Sequence, residues 1–181
     1  SAAFVPMTTY GASQTADSHV EVTVMPAITL EIAIDGEEGS EGGEGGDVTQ
    51  EKKVIFDNPV LGTTSEAGFT ATVSTNQAYT LSLNALDGQT DLLPAGVSSE
   101  NAPIGGKIPG TGEIVDGKTS WGVKLASVAD YSAVPATITK FYEGADPVQA
   151  EETQFKVGLA AGTDLLNGTY SSTLVVTAAT K

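Results

Sequence analysis

Between Val20 and Ile34 almost every even position is apolar (Val20, Val22, Val24, Ile28, Leu30, Ile32, Ile34), while odd positions carry Glu21, Thr23, Thr29 and Glu31. A period of two over that length predicts a long strand with one buried face. Pro26 falls on the apolar register and has no amide to donate, so the strand is expected to break there into two collinear pieces. The alternation returns at Phe69, Ala71 and Val73, at Tyr79, Leu81 and Leu83, at Trp121, Val123 and Leu125, and at Phe155, Val157 and Leu159. It closes the chain at Tyr170, Ser172, Leu174, Val176 and Ala178, and residues 54–57 and 136–142 offer shorter candidates. No window holds a helical i, i+3, i+4, i+7 stripe for more than about two turns. About eight short strands separated by glycine and proline predict an antiparallel β-sandwich. Asp87-Gly88 and Asn167-Gly168 supply turn signals at strand ends.

Two segments fall outside this pattern. Residues 35–51 read DGEEGSEGGEGGDVTQE, with Val48 the one apolar side chain, so little there offsets the entropy of ordering and a mobile, solvated loop is expected. Its carboxylates make Asp35, Glu37, Glu38 and Asp47 candidates for calcium, a cation that takes oxygen ligands, although the EF-hand spacing is not met. Residues 1–18 form the second segment: an apolar patch (Phe4, Val5, Met7, Tyr10) followed by small polar residues. Such an arm has no obvious place within its own domain, and those four residues are the expected subunit interface. The organisation expected is therefore an N-terminal arm over residues 1–18, a candidate donor strand, and a β-sandwich domain over residues 19–181.

The 181 residues include 21 glycines and no cysteine, which removes disulfides, thiolate metal sites and cysteine nucleophiles. The formal charge of −15 comes from 23 acidic residues against 8 lysines, making nucleic acid a poor partner. No apolar run reaches the roughly 18 residues of a membrane-spanning helix, and no direct membrane insertion is expected. The start at Ser1, followed by Ala2, Ala3, Phe4 and Val5, is that of either a mature end left by removal of a signal peptide or an artificial boundary.

Catalytic chemistry finds little to work with. His19 is the single histidine and no G-x-S-x-G elbow accompanies it. Zinc would want more nitrogen or sulfur ligands, and Gly105-Gly106-Lys107 opens no phosphate loop because Ile108-Pro109 follows. No pair of carboxylates is set apart by apolar surroundings, so no enzyme activity and no cofactor is expected. Trp121 could stack on a sugar ring, though a lone tryptophan on an alternating strand more often fills a sandwich core. Asn167-Gly168-Thr169 matches the N-glycosylation pattern as well as a turn. Lys124 and Lys156 are the natural candidates for a lysine-asparagine crosslink, but both alternate away from the apolar set.

In chain order the stretches STNQAYTLSLNA, SWGVKLA, DYSAVPA and TQFKVGLAAGTDLLNGTYSSTLVVTA span residues 74–178. They resemble modules on the surfaces of Gram-positive bacteria and of candidate-phyla-radiation bacteria such as Saccharibacteria, which run approximately N-x-x-G-Y-T-L-S-L, T-W-G-Y, Y-x-x-V-P, F-G-V-K and G-T-Y-x-x-T-V-x-x-T-A. The chain departs from that pattern at Ala78, where glycine is usual, and at Val123, where tyrosine is. WxL cell-wall-binding domains are distantly similar, but their paired W-x-L signature is missing. The resemblance implies an all-β, antiparallel, immunoglobulin-like β-sandwich with an extended N-terminal arm, secreted to the extracellular cell surface. It implies no catalytic residue. The expected role is a pilin-like structural subunit of an extracellular filament, a homo-polymer joined head to tail through its arm. The alternative is a monomeric adhesin or carbohydrate-binding surface module, with Trp121, Tyr131 or Tyr142 facing a host-surface or glycan receptor.

Overall fold

The computed structural model describes residues 16, 18–35, 41–44, 47–54 and 56–181. They form an all-β molecule of nine strands: β1 (Ile28–Ile34), β2 (Glu41–Glu44), β3 (Val48–Val54), β4 (Thr63–Thr75), β5 (Tyr79–Ala85), β6 (Ser120–Leu125), β7 (Thr139–Gly144), β8 (Val148–Ala161) and β9 (Ser172–Thr180). One sheet has the order β2-β1-β4-β8-β6 and the other β3-β9-β5-β7, with every neighbouring pair antiparallel. No α-helix occurs among the described residues; two short 3-10 turns lie at Leu86–Gly88 and Ser99–Asn101.

The period-two sequence explains the core. Along β5 the side chains of Tyr79, Leu81, Leu83 and Ala85 are buried while Thr80, Ser82 and Asn84 between them are half-exposed. Ile28, Leu30 and Ile32 from one sheet and Leu174, Val176 and Ala178 from the other join the same cluster. Phe69 stacks on Phe155 at 4.9 Å between ring centroids, and Phe141 meets Phe155 edge-on at 6.2 Å. Trp121 is enclosed, and its indole N–H donates to the Thr90 carbonyl at 2.8 Å. The outer edge of β6 is covered: the Trp121 amide donates to Pro109, the Gly112 amide to Trp121, and Val123 exchanges bonds with Ser132. Gly122 has no room for a side chain, since an added Cβ would stand 2.7 Å from the Gly112 Cα, and a Cβ on Gly112 would in turn meet the Ser132–Ala133 backbone at 2.6–2.7 Å.

Four local expectations change. The alternating run 20–34 yields one strand, not two: it begins at Ile28, and Val20, Val22 and Val24 lie in no sheet. Within the acidic stretch 35–51, expected to be loop throughout, β2 pairs with β1 and β3 begins at Val48. Main-chain hydrogen bonds hold a strand that has few apolar side chains to bury, helped by buried Val48 and by the Gln50 side-chain amide donating to the Leu30 carbonyl at 3.0 Å. Residues 56 and 57 of the candidate at 54–57 lie beyond the end of β3, and the candidate at 136–142 becomes β7, displaced to Thr139–Gly144. Asn167-Gly168 closes no hairpin, since β8 and β9 belong to different sheets and their connection crosses between them. Asp87 and Gly88 do both take positive φ (55° and 72°), the turn geometry their types favour.

Strand pairing gives the molecule two unlike ends. Ile28 lies beside Thr75, Thr75 beside Val148, Val48 beside Ala178, and Tyr79 beside Thr180. At the opposite end Thr63 lies beside Ala161, Ser120 beside Ala160, and Val54 beside Ser172. The 13 residues of β4 place these ends about 40 Å apart.

Candidate functional site

Phe4, Val5, Met7, Tyr10, Glu37 and Glu38 lie outside the described residues. Asp35 and Asp47, the two remaining calcium candidates, are not brought together. Asp35 follows the last residue of β1, whereas Asp47 precedes β3 at the end where β1 begins, about 20 Å away along the strand. Among the described residues no group of three His, Asp or Glu side chains could hold a metal ion.

Trp121 offers no face to a sugar, being wholly buried. Tyr142 and Tyr79 both donate to the Glu151 carboxylate, Tyr142 at 2.9 Å. Burial first, and then the hydrogen bond to Glu151, hold the Tyr79 phenol well above its ordinary range; for Tyr142 the hydrogen bond is the larger cause. Tyr131 donates to Glu66, and its phenol is raised by burial and by that carboxylate. The three hydroxyls are engaged by carboxylates of their own chain, while the Tyr131 and Tyr142 rings stay partly exposed. Lys124 and Lys156 pair across β6 and β8, and the Lys124 ammonium reaches the Ala129 carbonyl at 3.2 Å and lies 4.8 Å over the Tyr131 ring. Neither is shown beside an asparagine. His19 is exposed, its Nε2 at 3.5 Å from the Glu21 carboxylate.

The feature that stands out is a cavity of about 550 Å³ at the end where β3 finishes and β4 starts. Its floor is Leu92, Ile108 and Leu159; Phe56 and Leu61 close one side and Leu165 and Tyr170 the other. Three connections build it, the one between β5 and β6 supplying Leu92 and Ile108. The segment leaving β3 crosses to the other sheet, and the β8–β9 connection crosses back. The amide of Leu166 donates to Gly105 at 2.8 Å and the Tyr170 hydroxyl to the Leu166 carbonyl at 2.7 Å, which fixes one lip. Burial raises the Tyr170 phenol. Val60, Leu61, Ile104 and Leu166 leave apolar side chains in water around this end, Ile104 being 99% exposed.

The other end carries the complementary feature. Ahead of β1 the chain is held at Met25 and Ala27 by the Asn76 side chain, which donates to the Met25 carbonyl at 2.9 Å and accepts from the Ala27 amide at 3.1 Å. Beyond that clamp Val20, Val22, Val24 and Met25 are 80%, 79%, 73% and 70% exposed. Apolar alternation was legible in the sequence; the exposure of these valines was not, because periodicity reports a face fit for burial without saying what buries it. The cavity left no local signal either, since it forms where residues distant in sequence meet. No protein-family model matches this chain, and neither a curated protein nor a solved structure matches it.

Proposed function

We propose that this protein is a pilin-like structural subunit of an extracellular filament, polymerising head to tail through the segment that precedes its sandwich, and that it is not an enzyme. The observation that carries this reading is the placement of exposed, alternating valines at one end of the molecule and, at the other, a cavity floored by Leu92, Ile108 and Leu159 with Asp57, Asn58, Asn167 and Thr169 also in its lining. Unlike surfaces at opposite ends make heterologous contacts, and such contacts repeat without closing when the second copy is displaced along the long axis. The resemblance of residues 74–179 to bacterial surface modules supports a secreted, cell-surface setting and an immunoglobulin-like sandwich as the repeating block. The charge of −15 keeps separate fibres apart and opposes contact between subunits at low salt.

Sedimentation velocity over a range of protein and salt concentrations tests this. Raising ionic strength from 0.01 to 0.15 M shortens the screening length from about 30 to about 8 Å, so large species are expected to grow with salt as well as with concentration. A single 18.4 kDa species under all conditions would contradict the proposal.

A further inference from the structure

Strand β1 is shorter than the strand it lies against. Ile34 pairs with Phe69 and the Asp35 amide donates to Gly68 at 3.0 Å; among the described residues nothing pairs with residues 63–67 of β4 on that side. Since Gly68 accepts on that edge, the antiparallel alternation turns the main-chain groups of Glu66 and Thr64 the same way. Ser65 and Ala67 face inward there and are only half-buried, although the residues after them on the same face, Phe69, Ala71 and Val73, are enclosed. Leu159 links this edge to the cavity, because it pairs with Ser65 and also lines the cavity floor.

We infer that the row beside residues 63–67, where no described residue pairs, is filled by residues 20–24 of a second copy, whose Val20, Val22 and Val24 turn toward the cavity of the first. This rests on the filament reading above and relocates its contact from Phe4, Val5, Met7 and Tyr10 to the alternating valines. Length, direction and reach all agree with it. The open edge and the run from Val20 to Val24 have the same number of residues. When a second copy is moved along the strand axis, with its clamp end facing the cavity of the first, its segment enters parallel to β1 and antiparallel to β4, which is the pairing this sheet uses throughout. Residues 20–24 of the same chain cannot reach that row. Val22 is six residues from Ile28 and reaches at most about 21 Å, whereas Ser65 lies about 33 Å from Thr75, the partner of Ile28. The valines must keep the inward parity, so only even-numbered shifts of register are open. Two such registers, with Val20 opposite Ala67 or opposite Ser65, give an axial repeat of about 50 to 60 Å. Main-chain bonds would hold the added strand and the cavity would read its alternate side chains.

The absence of native cysteine allows a direct test. Full-length Val22→Cys and Ser65→Cys proteins are mixed under mild oxidation, with Phe4→Cys replacing Val22→Cys in a parallel mixture. In addition, Val22→Asp is compared with the native chain by sedimentation and thermal unfolding. Expected are a disulfide-linked pair between the Val22 and Ser65 variants, at least fivefold above the Phe4 mixture, and loss of large species in Val22→Asp with an unchanged melting curve. Large species that survive Val22→Asp but vanish in Phe4→Asp would overturn this inference and leave the filament reading standing. A native chain that never associates would overturn both.

Discussion

Tyr79 has no exposed surface, yet its hydroxyl meets a carboxylate that Tyr142 also uses. Because its phenol is raised in the folded protein, the folded state holds that proton more tightly than the unfolded chain does. The stabilisation is present in full below about pH 10 and falls away as pH rises above it. Chemical denaturation from pH 8 to 11 is expected to show stability declining above about pH 10, and Tyr79→Phe should flatten that decline while costing about 1.5–3 kcal/mol at neutral pH for the lost bond to a charged acceptor. A second residue-scale expectation concerns Gly122, on which Gly112 and the Ser132 carbonyl converge. Gly122→Ala should destabilise by about 1–3 kcal/mol through overpacking, measured by the urea midpoint, because both obstructing groups are backbone. The sequence showed Trp121 as a core candidate by its alternation with Val123, but gave no hint that the edge of its strand would be covered by Pro109, Gly112 and Ser132.

At the scale of elements, the run from Val20 to Ile34 is one pattern with two fates. Ile32, fully enclosed between the sheets, should cost about 2–5 kcal/mol when changed to alanine. Val22→Ala should stay within about 0.5 kcal/mol in the dissociated subunit, since its side chain is already in water. Thermal unfolding of the two variants at low concentration checks the contrast. The long alternating strands β4, β5, β8 and β9 were readable because each buries one face, and a period of two is the direct trace of that. Strand β2 was unreadable for the opposite reason. Its sequence EGGE contributes main-chain hydrogen bonds to the edge of β1 and no apolar signal. Strand β3 had only a valine at each end, Val48 and Val54, to mark it, and its order comes from pairing along the register from Ser172 to Ala178.

The whole molecule is asymmetric along its strands. Among the described residues, β1 leaves residues 63–67 of β4 without a neighbour at one end, and Val20, Val22 and Val24 are exposed at the other. Charge opposes the meeting of copies while burial of valines and completion of the sheet favour it, so assembly should be steep in salt and concentration. Electron microscopy of the native protein at physiological salt tests this account most directly. Unbranched filaments with an axial repeat of about 50 to 60 Å are expected; solitary particles, or fibres with a repeat far outside that interval, would contradict it.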